Sequence, residues 1–185
     1  MFDGSDTVVL YNELAYEEVL PVNWAALPGS MEAAAAGFTE RNVRLLQALA
    51  AIEDHGVSEK PEESAPDLTR LDFKINLLLD LVGQLVVANR PRPAPAAIRF
   101  NSQGALWHAP APLPPAGTLG VVEIHLRDFL AEPLRLVGTL AQVSADGEVT
   151  VRFAPVGEPL AFLLERLIFR HHRRHVAGIR QPRRD

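Results

Sequence analysis

Residues 90–104 read RPRPAPAAIRFNSQG and hold the side chains of this chain best suited to gripping an anion. Arg90, Arg92 and Arg99 carry forked guanidiniums, which match the paired oxygens of a phosphate or the O6/N7 edge of guanine. Asn101, Ser102 and Gly104 spell a strand-end turn whose backbone N–H groups could face the same ligand. A stiff, solvated linker entering a sheet is the plainer alternative for this stretch. A second candidate is FRHHRRH, where His171 and His175 stand four apart and could share a metal on a helix. The stretch lacks the Glu of an HExxH motif and a nameable third ligand. Arg166, Arg170, Arg173 and Arg174 crowd it with positive charge, so no metal is expected, and cations suit a helix C-terminus.

From Phe162 onward, seven arginines face only Glu165 and Asp185. That balance suits an acidic protein surface, an acidic lipid surface or RNA, and equally the acidic helices of the same assembly or plain solvation. The interleaved aromatics of a single-strand binder are missing apart from Phe169, which makes nucleic acid the least favoured of these. Trp107 fits a core or rim aromatic better than a groove lining. No Gly-rich phosphate loop, nucleophile elbow or HExxH is present, and no enzyme activity is expected. The absence of cysteine excludes disulfides, thiolate catalysis and Cys-based metal sites.

A chain of 185 residues can build one good core, or a core plus an accessory element. Its acidic start lacks the features of a secretory signal, and no apolar run approaches the ~20 residues that cross a bilayer, so a cytoplasmic location is expected. Charge is uneven: residues 1–88 hold 15 acidic and 5 basic side chains, residues 89–185 hold 8 and 13. The two parts face different surroundings or attract one another between subunits.

The elements that must position these residues are legible from period and punctuation. TVVLY at 7–11 and NELAYEEVLPVNW look extended or mixed, up to the Pro28-Gly29 breaker. Ser30 opens a helical region that Gly56 closes, and a second helix over 67–89 stops at Pro91. From residue 95 the pattern turns to strands, including GVVEIHLR, LRLVGTLAQV and EVTVRFAP. Asp146-Gly147 joins the last two as a two-residue hairpin signal. A final amphipathic helix is expected over about 158–175, with Leu160, Leu163, Leu164, Leu167 and Ile168 on one face.

The two early helices carry heptads. In the first, Met31, Ala35, Phe38, Asn42, Leu45, Leu49 and Ile52 alternate spacings of four and three; in the second, Leu68, Leu71, Ile75, Leu78, Val82 and Leu85 do the same. Packing on the chain's own sheet would explain either helix alone. The second also has Leu77, Leu79, Leu81 and Val86 off the seam and is apolar nearly all round, more than one small sheet can cover. Both helices are therefore expected to bury each other and their copies as a coiled-coil core of a homo-oligomer. Asn42 could fix register there, or lie half exposed. The seam composition leans towards two strands and the flanking leucines towards more, so copy number stays open.

The order of parts resembles the PilZ family, specifically its atypical tetrameric branch. The pieces that carry the likeness are LAYEEVLPVNW, LTRLDFKINLLLDLVGQL, IRFNSQGALW and FLLERLIFRHHRRH. The resemblance implies an α+β fold: a small six-stranded antiparallel barrel interrupted by two long helices that form a multi-helix oligomerisation core, plus a C-terminal helix. The barrel would comprise 1–29 and 89–185, with 30–88 as the inserted element and its second helix in a parallel four-helix core. It further implies bacterial signalling by cyclic di-GMP, as candidate ligand and with no other cofactor.

The family's gripping motifs are an RxxxR arm and a D/N-x-S-x-x-G turn. Here the position four after Arg90 is Ala94, and the alternating prolines favour a polyproline helix that splays Arg90 and Arg92 by ~120°. Counted back from Gly104, Arg99 stands at the acidic or amide position and Asn101 at the serine position, while Asn101-Ser102-Gln103-Gly104 is a residue too short to replace them. A guanidinium where guanine donates N–H groups costs ~1–3 kcal/mol in unmatched donors. The favoured expectation is a non-enzymatic adaptor that self-assembles and acts through a protein partner, with weak or no direct nucleotide binding. A direct cyclic di-GMP receptor using Arg90, Arg92 and Arg99, and a purely structural oligomerisation module, are the alternatives.

Overall fold

A strand whose alternate residues are Tyr16, Leu20 and Val22 on one side and Glu17 and Val19 on the other must put one face into a core. In the computed structural model, which describes residues 13–55, 66–89 and 92–180, that strand is β1 (Tyr16–Ala26). It is followed by helices α1 (Met31–His55) and α2 (Pro66–Asn89) and strands β2 (Pro95–Phe100), β3 (Gly104–His108), β4 (Leu119–Ile124), β5 (Leu134–Val143) and β6 (Glu148–Phe153). Helix α3 (Glu158–Arg180) ends the described chain. The expected strand at 7–11, the Gly56 cap and Pro91 lie outside the described residues.

All strand pairs are antiparallel, and the sheet closes in the order β1-β2-β3-β6-β5-β4. Closure depends on β1, which pairs with β2 over Tyr16–Pro21 and then with β4 over Val22–Ala26. Two long helices therefore leave the barrel between strands that remain neighbours. The interior is filled by Phe100, Trp107, Val122, Ile124, Leu136 and Val151 among others, so Trp107 is a core residue. The β5–β6 link has four residues, Ser144 to Gly147, rather than two. Ser144 Oγ accepts the Glu148 N–H at 2.9 Å, and Gly147 takes the positive φ of 90° that closes the longer turn.

Helix α1 starts where Ser30 Oγ accepts the Ala33 N–H at 3.2 Å, an N-cap. Leu45, Leu46 and Leu49 join the barrel core together with Leu160, Leu164, Leu167 and Ile168 of α3. The expectation that the seam of α1 faces other copies is thereby corrected: Asn42, Leu45 and Leu49 are 3%, 9% and 1% exposed within one chain. Phe38, beneath the Arg135 guanidinium at 5.8 Å, and Ile52 are half-buried. The physical reason is that a heptad stripe fits a barrel flank as well as a helix, and β5 with α3 supplies that flank.

Asn42 is neither a register device between subunits nor a frayed position. Its Nδ2 donates to the Arg135 carbonyl at 2.6 Å, and its Oδ1 accepts the Arg135 N–H at 3.0 Å. Arg135 pairs with β4 on its other side, while β6 meets β5 only from Gly138 onward. The amide of Asn42 thus completes a ladder that β6 does not reach.

Helix α2 differs. Leu71, Ile75, Leu78, Val82 and Leu85 are 52%, 45%, 60%, 48% and 63% exposed, and Phe73, Leu77 and Leu81 are exposed as well. Its close approach to the barrel domain is at buried Gly83, where an added Cβ would come within 3.2 Å of the Phe129 backbone. The helix includes Leu68, whose side chain is outside the described residues. No described helix is long and apolar enough to cross a membrane.

Candidate functional site

Of the two described arginines of the candidate hook, Arg92 precedes strand β2 and Arg99 lies within it, and each reaches its own partners. Arg92, before the strand, turns towards the β4–β5 connection. Its guanidinium donates to Asp128 Oδ1 at 2.6 Å and to the carbonyls of Asp128 and Leu130 at 2.8 and 3.1 Å. With a side chain 9% exposed, it is a staple for that loop. It is therefore neither a ligand-gripping arm nor a solvated linker charge, which corrects both expectations for it. Arg90 lies outside the described residues.

The expected result of Arg92→Ala follows. Three carbonyls or carboxylates lose a charged donor in a mostly buried place, so folding stability falls by about 1–3 kcal/mol, while any nucleotide titration is unchanged. Chemical denaturation of both proteins checks the first part and calorimetry the second.

At the far end of β2, Arg99 forms an ion pair with Glu17 of β1 and donates to the Glu13 carbonyl at 3.2 Å. The turn beyond it is closed by its own side chain. Asn101, 3% exposed, accepts the N–H groups of Gln103 and Gly104 on Oδ1 at 2.8 and 3.1 Å. This correction is decisive for the turn: two N–H groups that could have met a phosphate are already taken by Asn101. Asn101 Nδ2 and Gln103 Nε2 converge on the Glu13 carboxylate, which brings a negative charge to the same place. Ser102 is half-buried beside them.

Across β1, β2, β3 and the start of β6 lies a shallow groove of about 420 Å³, lined by the polar Glu17, Glu18, Arg99, His108 and Glu148 and by apolar residues of β1, β2 and β3. Three carboxylates stand there against one guanidinium, which Glu17 already neutralises. Such a surface repels a dianion and suits a neutral or cationic group.

A second polar constellation escaped the sequence reading. Arg127, in the β4–β5 connection, donates to Tyr16 Oη at 3.0 Å, Glu18 at 3.3 Å and Glu53 of α1 at 3.1 Å. Glu53, 11% exposed, also receives Arg174 at 3.0 Å and lies 3.7 Å from Arg170, both of α3. His171 stacks on the Tyr16 ring with centroids 3.8 Å apart, and its Nε2 donates to the Glu17 carbonyl at 2.9 Å. Burial pushes the Tyr16 hydroxyl well above its ordinary range, reinforced by the Glu18 carboxylate that accepts its proton. Burial likewise lowers the His171 pKa, so the ring is neutral near pH 7. The cluster locks α1, β1 and α3 together. Spacings of one and four along α3 hint that Arg170, His171 and Arg174 could act together, yet nothing local in the sequence pairs them with Glu53 or Arg127. Among the described residues no group of three or more His, Asp or Glu side chains could hold a metal.

A closed six-stranded antiparallel barrel with an inserted helical arm and a C-terminal helix packed on it is the architecture these elements define. Its family follows from comparison: the model of the atypical PilZ domain, described as a cyclic di-GMP receptor, matches residues 46–181, and the chain belongs to that family. A solved structure from Xanthomonas campestris, a pathogenic protein described as a tetrameric PilZ domain self-assembled via an unusual helical bundle, superposes with a TM-score of 0.68. It is 30% identical and is matched over 95% of this chain and 99% of its own. A curated relative, the DNA mismatch repair protein MutL of Azorhizobium caulinodans, is 31% identical over 120 residues, but this chain spans only 19% of its length.

Proposed function

We propose that the chain is a non-enzymatic cytoplasmic adaptor of cyclic di-GMP signalling. It assembles through α2, as a homotetramer, and passes its signal through a protein partner, with weak or no direct nucleotide binding. Residues 30–88 serve as the inserted assembly element, though within it α2 supplies the contact and α1 the anchor to the barrel. The observation that carries this is the exposure of the α2 leucines in a single chain, since so large an apolar surface requires cover. The helical-bundle assembly of the Xanthomonas protein supports the same use of the insertion. The consumption of Arg92, of the turn N–H groups and of Arg99 by the chain's own atoms supports the weak-nucleotide part.

Solution mass and a cyclic di-GMP titration on the same sample test the two halves together. An assembled protein with no saturable heat at micromolar concentrations is expected. Micromolar or tighter binding that Arg90→Ala or Arg99→Ala abolishes would replace the adaptor with a direct receptor.

A further inference from the structure

Gly83 lies inside α2, where glycine is a poor helix former and no turn calls for it. What requires it is the barrel. A Cβ there would stand 3.2 and 3.3 Å from Cα and N of Phe129, and 3.4 Å from the carbonyl carbon of Asp128. Just past the end of the same helix, the Arg92 guanidinium reaches the carbonyls of Arg127, Asp128 and Leu130 at 3.5, 2.8 and 3.1 Å. Two points of the inserted arm therefore close on one short stretch of the β4–β5 connection. That stretch is a turn, since the Leu130 N–H donates to the Arg127 carbonyl at 3.2 Å. Phe129 and Leu130 pack against the barrel core.

The first residue of the turn reaches the other way. Arg127 donates to Tyr16 Oη, Glu18 and Glu53, and Glu53 is shared with Arg174 of α3. A turn closed by its own hydrogen bond, with apolar side chains in a close-packed core, moves as a unit rather than residue by residue. We propose that residues 127–130 couple the assembly arm to the charged cluster of α1, β1 and α3, so that the direction in which α2 leaves the barrel depends on that cluster being closed. The barrels are then set at one angle around the α2 contact, and whatever opens the Glu53–Arg127 pair changes that angle. The consequence rests on α2 as the assembly element; the geometry lies within a single chain.

The chain contains no cysteine, so spin labels can be placed at chosen sites. Arg70→Cys on α2 and Glu165→Cys on α3 report the angle by double electron–electron resonance. The labelled full chain is diluted with unlabelled chain, so that only distances within one chain are read. Residue 70 lies about 20 Å along the helix from Gly83, so a tilt of about 15° there moves it by about 5 Å. One narrow distance is expected for the protein carrying the labels alone. Gly83→Gln, which would strengthen a free helix, is expected instead to broaden that distribution or shift it by about 5 Å or more. Arg127→Met and the gentler Glu53→Gln do the same from the cluster side, with solution mass and circular dichroism unchanged; Glu53→Gln decides if Arg127→Met does not fold. A broad distribution without further substitution, or one that Gly83→Gln leaves intact, overturns the proposal. So does a distribution that answers to Gly83→Gln and not to the folded cluster variants. A monomeric parent would count against assembly through α2 alone, because these distances are read within one chain.

Discussion

Leu78→Asp reduces the particle to a single chain of about 20 kDa without unfolding it. Leu78 is 60% exposed in the isolated chain, so its replacement disturbs no internal contact of the barrel. In an α2 bundle the same position is central to a seam formed by Leu71, Ile75, Val82 and Leu85. Burying a leucine there contributes ~1.5–3 kcal/mol, and burying a carboxylate in its place costs several more. In a symmetric assembly of four the loss enters four times. Light scattering with circular dichroism separates the outcomes: monomer mass with an undiminished barrel spectrum is expected. A monomeric unsubstituted protein would refute assembly through α2.

Asn42→Ala acts in the opposite way, sparing assembly at first and weakening the fold. The substitution strips the Arg135 N–H and carbonyl of their partners where Asn42 is 3% exposed. Each unpaired buried backbone group costs ~1–3 kcal/mol, so a loss of about 2–6 kcal/mol is expected for the two, a large share of the stability of a small domain. Denaturant unfolding measures it. Asn42→Asp is a sharper variant. It keeps an acceptor for the N–H but sets a carboxylate against the carbonyl, and it should be no better than alanine despite its matching shape. If both variants unfold as the parent does, the side chain is not completing the ladder.

The two helices show how far the sequence could be read. Their existence and near-complete boundaries followed from Ser30, the heptads and Asn89-Arg90-Pro91, because helical period and breakers are local properties. Their roles did not follow. Both carry the same four-three spacing, yet α1 turns its seam inward onto β5 and α3, and α2 leaves its seam exposed. The composition off the seam was the useful difference: α2 is apolar nearly all round, and α1 is not.

The hook at residues 90–104 was legible as chemistry but not as geometry. Sequence distance placed Arg92 and Arg99 together, and the fold gave each separate partners, Asp128 and Leu130 for Arg92 and Glu17 for Arg99. The departures from RxxxR and from the acidic turn position were visible beforehand and already pointed away from a tight nucleotide grip. That Asn101 occupies the turn's own N–H groups, and that Arg92 staples residues 128–130, depended on partners that are distant in sequence or on a backbone conformation no composition specifies.

The sequence by itself therefore determined the strands, the helices, the turn residues and the family pattern, since each is written in spacings of a few residues. Tertiary structure alone decided which charges are spent and which remain available. Glu53 with Arg127 and Arg174, Asn42 with Arg135, and Arg92 with Asp128 are pairs separated by 36 to 121 residues. The barrel brings them together only by closing. A guanidinium's chemistry belongs to its residue type, but its function belongs to whatever lies within 3 Å of it.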